Sequence, residues 1–145
     1  MPYRPMNADQ VRAFLIALPA HTGKLATVRA DGRPHVAPVW FEVDDDGAVL
    51  FTTGEGTVKG RNLARERRAA LCVDDERPPF NFVTMEGTVE ITDHLEEVRH
   101  WATRIAGRYM GADQAEEYGN RNAVPGELLV RLHPERIASA VDVAN

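Results

Sequence analysis

From Thr52 to Leu63 the chain reads Thr-Thr-Gly-Glu-Gly-Thr-Val-Lys-Gly-Arg-Asn-Leu, a run of residue types suited to an anion. The preceding Leu50-Phe51 reads as the end of a strand, Gly54 and Gly56 as a bend, and Val58 onward as the first turn of a helix. First-turn amides have no intrahelical acceptor and carry partial positive charge. Thr57 places a hydroxyl just before that turn, while Lys59 and Arg61 place cations within it. Together these make a seat for a phosphate, and the expectation is that a phosphate-bearing cofactor docks here beside a barrel. The plain alternative is an ordinary strand-to-helix turn with a solvated basic face. Neither common phosphate loop is present. Lys59 stands where a dinucleotide fingerprint needs its third glycine, and the Gly-Lys-Ser/Thr order of a P-loop is absent.

Other chemistries find less support. His21, His35, His94, His100 and His133 show no metal-ligand spacing, so no metal is expected. The one serine, Ser139, lies outside any nucleophile elbow, which argues against a hydrolase. Asp44-Asp45-Asp46-Gly47 lacks the alternating ligands and closing glutamate of a calcium loop and reads as a solvated turn. Cys72 is the single cysteine, which excludes an internal disulfide framework; it reads as a small core residue. His35 and Tyr109 are candidate proton donors and Asn81 a neutral donor, although His35 reads more simply as a surface turn histidine. No catalytic residue is assigned.

The elements that must position the seat follow from periodicity. Asn7 with Gln10 makes a capping box for a first helix, with Val11, Phe14, Leu15 and Leu18 as its apolar face, ended by Pro19 and packed across a barrel opening. Lys24 to Ala30 is a strand, Asp31-Gly32 a hairpin turn, and Pro34 to Val43 the returning strand. In that strand Ala37, Val39, Phe41 and Val43 point inward, while Val36, Pro38, Trp40 and Glu42 point outward. An outward indole is an exposed apolar surface of the kind that marks a ligand or partner site. Ala48 to Thr53 is a third strand, Val58 to Arg68 a short helix with Leu63 inward, and Ala69 to Val73 an apolar strand. Phe80 to Ile91 is a long strand with a bulge at Gly87; Phe80 and Phe82 lie opposite its core face. Asp93 with Glu96 caps a helix bearing Val98, Trp101, Ala102 and Ile105, closed by Gly111. Asp113 to Gly119 is helical, and Glu127 to Leu132 and Ile137 to Val141 are strands separated by His133-Pro134. About six strands with tight turns and a few helices predict a mainly β protein, a six-stranded antiparallel split β-barrel of Greek-key type with flanking helices.

The chain has 145 residues with 43% apolar and 27% charged side chains and a net charge of −5. That predicts one soluble domain over residues 1–145 and no general affinity for nucleic acid. The basic run Lys59 to Arg68 is a local exception that suits a small anionic ligand. No apolar run approaches the roughly 20 residues of a membrane helix, and Met1-Pro2-Tyr3-Arg4-Pro5 lacks a secretory core. A cytoplasmic protein with no membrane partner is expected.

The order of these motifs resembles the pyridoxamine 5'-phosphate oxidase-like, FMN-binding split β-barrel superfamily, and within it the branch of deazaflavin (coenzyme F420)-dependent reductases. The carrying residues are Leu25-Ala26-Thr27-Val28 with Asp31-Gly32-Arg33-Pro34-His35-Val36, then Pro38-Val39-Trp40-Phe41, Thr57-Val58-Lys59-Gly60-Arg61-Asn62-Leu63, Ala70-Leu71-Cys72-Val73 and Glu86-Gly87-Thr88. Arg108-Tyr109-x-Gly111 and Arg131-Leu132-x-Pro134 complete the pattern, over roughly residues 8 to 143. The resemblance implies a homodimer with cofactor sites at the interface. It implies a phosphate on Thr57, Val58, Lys59, Arg61 and Asn62, and a ring along His35, Pro38, Val39 and Trp40 and along Thr52 and Thr53. Phe80, Asn81 and Phe82 would reach over from a second subunit. The implied reaction is hydride transfer between the deazaflavin and a small conjugated acceptor. FMN is the alternative cofactor, and a non-catalytic carrier of flavin, deazaflavin or haem the alternative function. A pyridoxamine phosphate oxidase in the strict sense stands third, because the chain is short and shows no basic C-terminal elements for a substrate phosphate.

Overall fold

The computed structural model describes residues 4–144; the Met1-Pro2-Tyr3 stretch weighed above as a leader lies outside the described residues. In chain order the elements are α1 (Ala8–Leu15), β1 (Gly23–Val28), β2 (Pro34–Val39), β3 (Glu42–Val43), β4 (Val49–Gly54), α2 (Val58–Arg65), β5 (Arg68–Asp74), β6 (Phe82–Thr92), α3 (Leu95–Met110), α4 (Ala115–Asn122) and β7 (Glu127–Ala140). The strands form one curled antiparallel sheet in the order β2-β1-β5-β6-β7-β4-β3. It has seven strands where about six were expected. β2 and β3 are its two edges and are joined through Trp40-Phe41, so the barrel is split at that crossover.

Two differences from the expected strands have a common cause, proline. The segment from Pro34 to Val43 is not one strand: β2 ends at Val39, and Glu42–Val43 pairs instead with β4. Pro38 offers no N–H to a ladder, which suits an edge strand. Conversely, Glu127 to Ala140 is one strand of 14 residues, not two. Pro134 is accommodated by a bulge: Glu86 faces Arg136 and Gly87 faces Pro134, so the register skips Glu135. Gly87 permits this, since a Cβ there would collide with the His133 carbonyl.

The larger core lies inside the curl, where Leu25, Phe41, Phe51, Leu63, Leu71, Met85 and Leu132 are at most 1% exposed. Each such side chain contributes about 1.5–3 kcal/mol by leaving water. α1 closes one opening with Val11, Phe14 and Leu15, behind the expected Asn7–Gln10 capping box. The helix stops at Leu15, and Leu18 lies beyond it, exposed. A second cluster, Leu50, Val98, Leu129 and Ala123 with Trp101, fixes α3 against the outer face of β4 and β7. α3 begins at His94 with no side-chain cap, so the Asp93–Glu96 cap does not form; Thr92 Oγ1 accepts the His94 N–H instead. Gly111, at φ +101, ends α3 as expected. α4 starts two residues later than expected and ends at Asn122. No helix among the described residues is long and apolar enough to cross a membrane.

Candidate functional site

The strand-to-helix bend forms as its residue types require. Thr57 is the N-cap of α2: its hydroxyl accepts the Gly60 N–H at 3.0 Å and donates to the Gly54 carbonyl at 2.8 Å. Its Oγ1 also lies 2.9 Å from Thr53 Oγ1. Gly60 lets α2 approach β4, since a Cβ would be driven into the Gly54 carbonyl oxygen. Leu63 anchors the helix in the core. α2 ends at Arg65, and Arg68 already belongs to β5, so the expected helix to Arg68 is one turn too long.

Strand parity then divides the expected residues. Phe51 and Val49 point into the curl and Leu50 toward α3. Thr53 therefore lies on the inner side, 4% exposed and bonded to Thr57, while Thr52 faces outward. Thr52 joins Pro38, Val39, Trp40 and Lys59 around one cavity of about 250 Å³, whose far wall is Ala102, Ile105 and Ala106 of α3 and Asn122 of α4. Five expected residues are thus brought together. Two larger hollows, of about 720 and 760 Å³, contain none of them.

The other expected residues do not line this cavity. Thr57 is committed to its capping bonds. Asn62 is buried and donates to Thr27 Oγ1 at 3.0 Å, so it braces α2 against β1. Arg61 is exposed and donates to the Gly56 carbonyl. Val58 is half-buried at the start of α2. His35 sits opposite Thr27 in the β1–β2 register, toward the far end of β2, with a buried Nδ1 that meets no partner among the described residues. Phe80, at φ +63, is 41% exposed. Asn81 accepts the Asp142 N–H through Oδ1 and the Asp75 N–H through its carbonyl. Phe82 pairs with Asp74 and Ala140, three strand spacings or roughly 14 Å along the sheet from β2.

Trp40 is not a bare indole. It is 41% exposed, but one face stacks on Tyr109 of α3, with centroids 4.9 Å apart and planes 3° from parallel. The Tyr109 hydroxyl donates to the His21 carbonyl at 2.7 Å and accepts the Phe41 N–H at 3.2 Å. Burial pushes the phenol above its ordinary range. It is a brace for the crossover, so Tyr109 is set aside as a proton donor. Arg108, whose side chain is 8% exposed, reaches from the same helix end to the carbonyls of Phe41 and Leu15 and lies 3.8 Å from Glu42. Cys72 is half-buried, not in the core, and burial raises its thiol, so it stays protonated and unreactive.

Sequence reasoning missed Glu127. This first residue of β7 pairs with Gly54 in the ladder. The Thr52 hydroxyl and the Lys59 ammonium favour its charged form, but burial outweighs both and pushes the carboxyl up. Only its position after Gly126, at a strand start, could have drawn notice. The α3 wall was legible as an apolar stripe but not as part of a site.

Comparison with known proteins agrees with this architecture. The family model described as pyridoxamine 5'-phosphate oxidase matches residues 8–140. A pyridoxine/pyridoxamine 5'-phosphate oxidase of Burkholderia multivorans is 42% identical over 101 residues, which are 67% of this chain and 45% of that protein. The chain thus spans about half the length of that relative. A 5a,11a-dehydrotetracycline/5a,11a-dehydrooxytetracycline reductase of Streptomyces rimosus is 32% identical over 124 residues, 81% of this chain and 72% of that one. Among solved structures, the conserved hypothetical protein Rv2991 from Mycobacterium tuberculosis superposes with a TM-score of 0.84 at 25% identity, covering 98% of this chain and 91% of its own. A protein described as an F420 reductase superposes with a TM-score of 0.66 at 26% identity, over 86% and 94%. With the split seven-stranded sheet, the capped strand-to-helix bend and a match that runs nearly end to end, the chain belongs to the pyridoxamine 5'-phosphate oxidase family.

Proposed function

We propose that the protein is an oxidoreductase that holds a phosphate-bearing flavin-type cofactor at the Trp40–Lys59 cavity and passes hydride between it and a small conjugated acceptor. Coenzyme F420 is the first choice and FMN the second. One observation carries this reading: an aromatic plane and a cation from the first turn of a helix open onto a single hollow.

The residues present fit such a group. Trp40, held flat by Tyr109, offers its other face to a ring. Lys59 and the first amides of α2 offer donors to a phosphate. Thr52 and Asn122 add neutral polar groups, and Ala102, Ile105 and Ala106 keep water from the ring. A bound flavin or deazaflavin supplies the hydride chemistry itself. The chain's part is to hold two planes in contact and to leave the anion end toward Lys59.

The F420 preference draws support from the F420 reductase of similar fold, and the reductase reading from the Streptomyces reductase. The FMN reading draws on the 42% identity to the Burkholderia oxidase. A homodimer completes the proposal. The cavity in one chain is smaller than the roughly 300–1,000 Å³ usual for a ligand pocket. Trp40 and Phe80 are each 41% exposed, and Phe80 is positioned to wall the site of a second copy.

Fluorescence titration of the purified protein with FMN and with coenzyme F420 tests the cofactor. Saturable binding of one or both is expected, and binding of neither at micromolar concentration overturns the proposal. Oxidation of reduced F420 by a panel of conjugated acceptors then separates an enzyme from a carrier, and sedimentation velocity at micromolar concentration reads the dimer.

A further inference from the structure

Asn122 is the one polar side chain on the far wall of the cavity among the described residues; its neighbours on that wall are Ala102, Ile105 and Ala106. Its backbone is pinned. Asn122 is the last residue of α4, its carbonyl accepts the Val124 N–H at 3.0 Å, and the Ala123 N–H donates to the Gly119 carbonyl at 3.1 Å. Ala123 is buried with Leu50, Val98 and Leu129. One turn earlier, Gly119 lies so close to α3 that a Cβ there would stand 1.9 Å from Thr103 Oγ1. The turn that carries Asn122 is therefore clamped between α3 and the outer face of β4 and β7. The side chain is left over. Half-buried, its carboxamide has no hydrogen-bond partner among the described residues.

A carboxamide sets a carbonyl acceptor beside N–H donors. The ligand edge that matches it is the same pair reversed, a ring carbonyl next to a ring N–H, as in a cyclic amide or imide. Flavin and deazaflavin rings both carry such an edge. The other groups on the cavity read different properties. Lys59 answers charge, and Trp40 answers the area of an aromatic face. Thr52 brings a hydroxyl that rotates to suit a donor or an acceptor, so it discriminates little between them. We infer that Asn122 is a specificity-determining residue, whose carboxamide hydrogen-bonds the imide edge of the cofactor ring while Lys59 holds the phosphate from the opposite wall. This rests on the reading of the cavity as the cofactor site and gives that site a ring preference. A ring whose edge has lost its N–H leaves the Asn122 oxygen unpaired beside an apolar wall, and a site built to hydrogen-bond a group rejects the analogue that lacks it. No bond to the ligand forms or breaks, and no proton changes owner.

The test is a cycle of two proteins and two ligands, read as dissociation constants by fluorescence. The proteins are the wild type and Asn122→Ala. The ligands are FMN, or coenzyme F420 if FMN does not saturate, and the same cofactor methylated at its imide nitrogen. The wild type should bind the unmodified cofactor roughly three- to tenfold tighter than the methylated one, the scale of one neutral hydrogen bond. Asn122→Ala should bind the unmodified cofactor weaker by a similar factor and discriminate little between the two. Asn122→Leu, of similar shape, should lose as much affinity for the unmodified cofactor. Lys59→Ala should bind both ligands more weakly and keep the wild-type ratio between them. A wild type that does not discriminate, or an Asn122→Ala protein that binds the unmodified cofactor as tightly as the wild type, overturns the role of Asn122 and leaves the cavity reading standing. Full affinity in Asn122→Leu also overturns it, since packing and not hydrogen bonding would then be at work. So does a loss confined to the KM of the acceptor, which would assign Asn122 to the substrate instead. Failure of the wild type to bind either cofactor removes the cavity reading, and this inference with it.

Discussion

Trp40 lies flat against Tyr109, with planes 3° from parallel, although 68 residues separate the Tyr109 hydroxyl from the Phe41 amide it accepts. The stack joins the end of α3 to the crossover where the barrel splits. It turns an exposed indole into a rigid wall, and it leaves the hydroxyl spanning two backbone groups, His21 O and Phe41 N. Tyr109→Phe keeps the stack and strands both partners. It should lower unfolding free energy by about 1–2 kcal/mol, read by urea denaturation. Tyr109→Ala, which also removes the stack, should cost more and should weaken flavin or deazaflavin binding.

Arg108 acts on the same crossover from behind. Its guanidinium meets the Phe41 and Leu15 carbonyls, stands 5.0 Å over the Phe41 ring, and lies near Glu42, whose side chain is 11% exposed. Arg108→Met keeps the length of the side chain but leaves a buried carboxylate with the Val43 N–H at 3.0 Å and, among the described residues, Arg104 at 4.0 Å as its remaining cation. A loss of about 3 kcal/mol is expected, the scale of breaking a buried pair on one side. Arg108→Met with Glu42→Gln should recover part of it, and a double-mutant cycle measures that coupling.

Gly60→Ala separates helix propensity from packing. Propensity alone favours alanine by about 1 kcal/mol inside a helix. Here the new methyl would enter the Gly54 carbonyl, so α2 must move away from β4, at about 1–3 kcal/mol. Gly56→Ala is the control, because nothing lies within 4 Å of a Cβ there; it should change stability little. If Gly60→Ala were as stable as the wild type, the close approach of α2 to β4 would be wrong.

These contacts mark what the sequence could and could not announce. The Asn7–Gln10 box, the Thr57 cap and the Gly111 stop depend on neighbours a few residues away, and each was legible; the bulge at Gly87 was legible from a glycine inside a strand. Strand parity correctly set Trp40 outward, but the face of Tyr109 that covers it comes from α3 and carries no local sign. Parity also decides between Thr52 and Thr53, yet the resemblance to a family took both, because it carries positions and not directions. Pro134 read as a strand break because only the partner strand, through Gly87, supplies the room for a bulge. Asn62 was misread, and Glu127 missed, for the same reason. Thr27 on β1 takes up the Asn62 amide, and burial at the start of β7 sets the charge of Glu127, and neither is visible beside them in sequence.

Lys59→Ala removes the one cation on the cavity wall among the described residues. Affinity for a phosphate-bearing cofactor should fall by about 1–3 kcal/mol, the scale of a charge-assisted hydrogen bond, with little change in melting temperature. The loss should shrink as salt is raised, because the site is open to solvent. Affinity that stays unchanged at low salt would remove Lys59 from the site.

Glu127 also predicts how stability depends on pH in the protein without ligand. Burial raises its folded pKa above the ordinary 4.5, so the folded state binds this proton more tightly than the unfolded chain does. Where the folded state holds more protons, stability falls as pH rises. The contribution is therefore fully present below the ordinary value and is lost as pH climbs from there through the raised folded value. Glu127→Gln has no such proton to lose. Its urea midpoint relative to the wild type should rise as pH climbs from the ordinary 4.5 through the raised folded value and then level, and the height of that step should be modest because the carboxyl is only partly buried. In the Lys59→Ala background the same step should grow, since the ammonium that partly supports the charged carboxylate is gone. A midpoint difference that is flat with pH, or that falls, would mean that Thr52 and Lys59 outweigh burial and hold Glu127 ionised throughout.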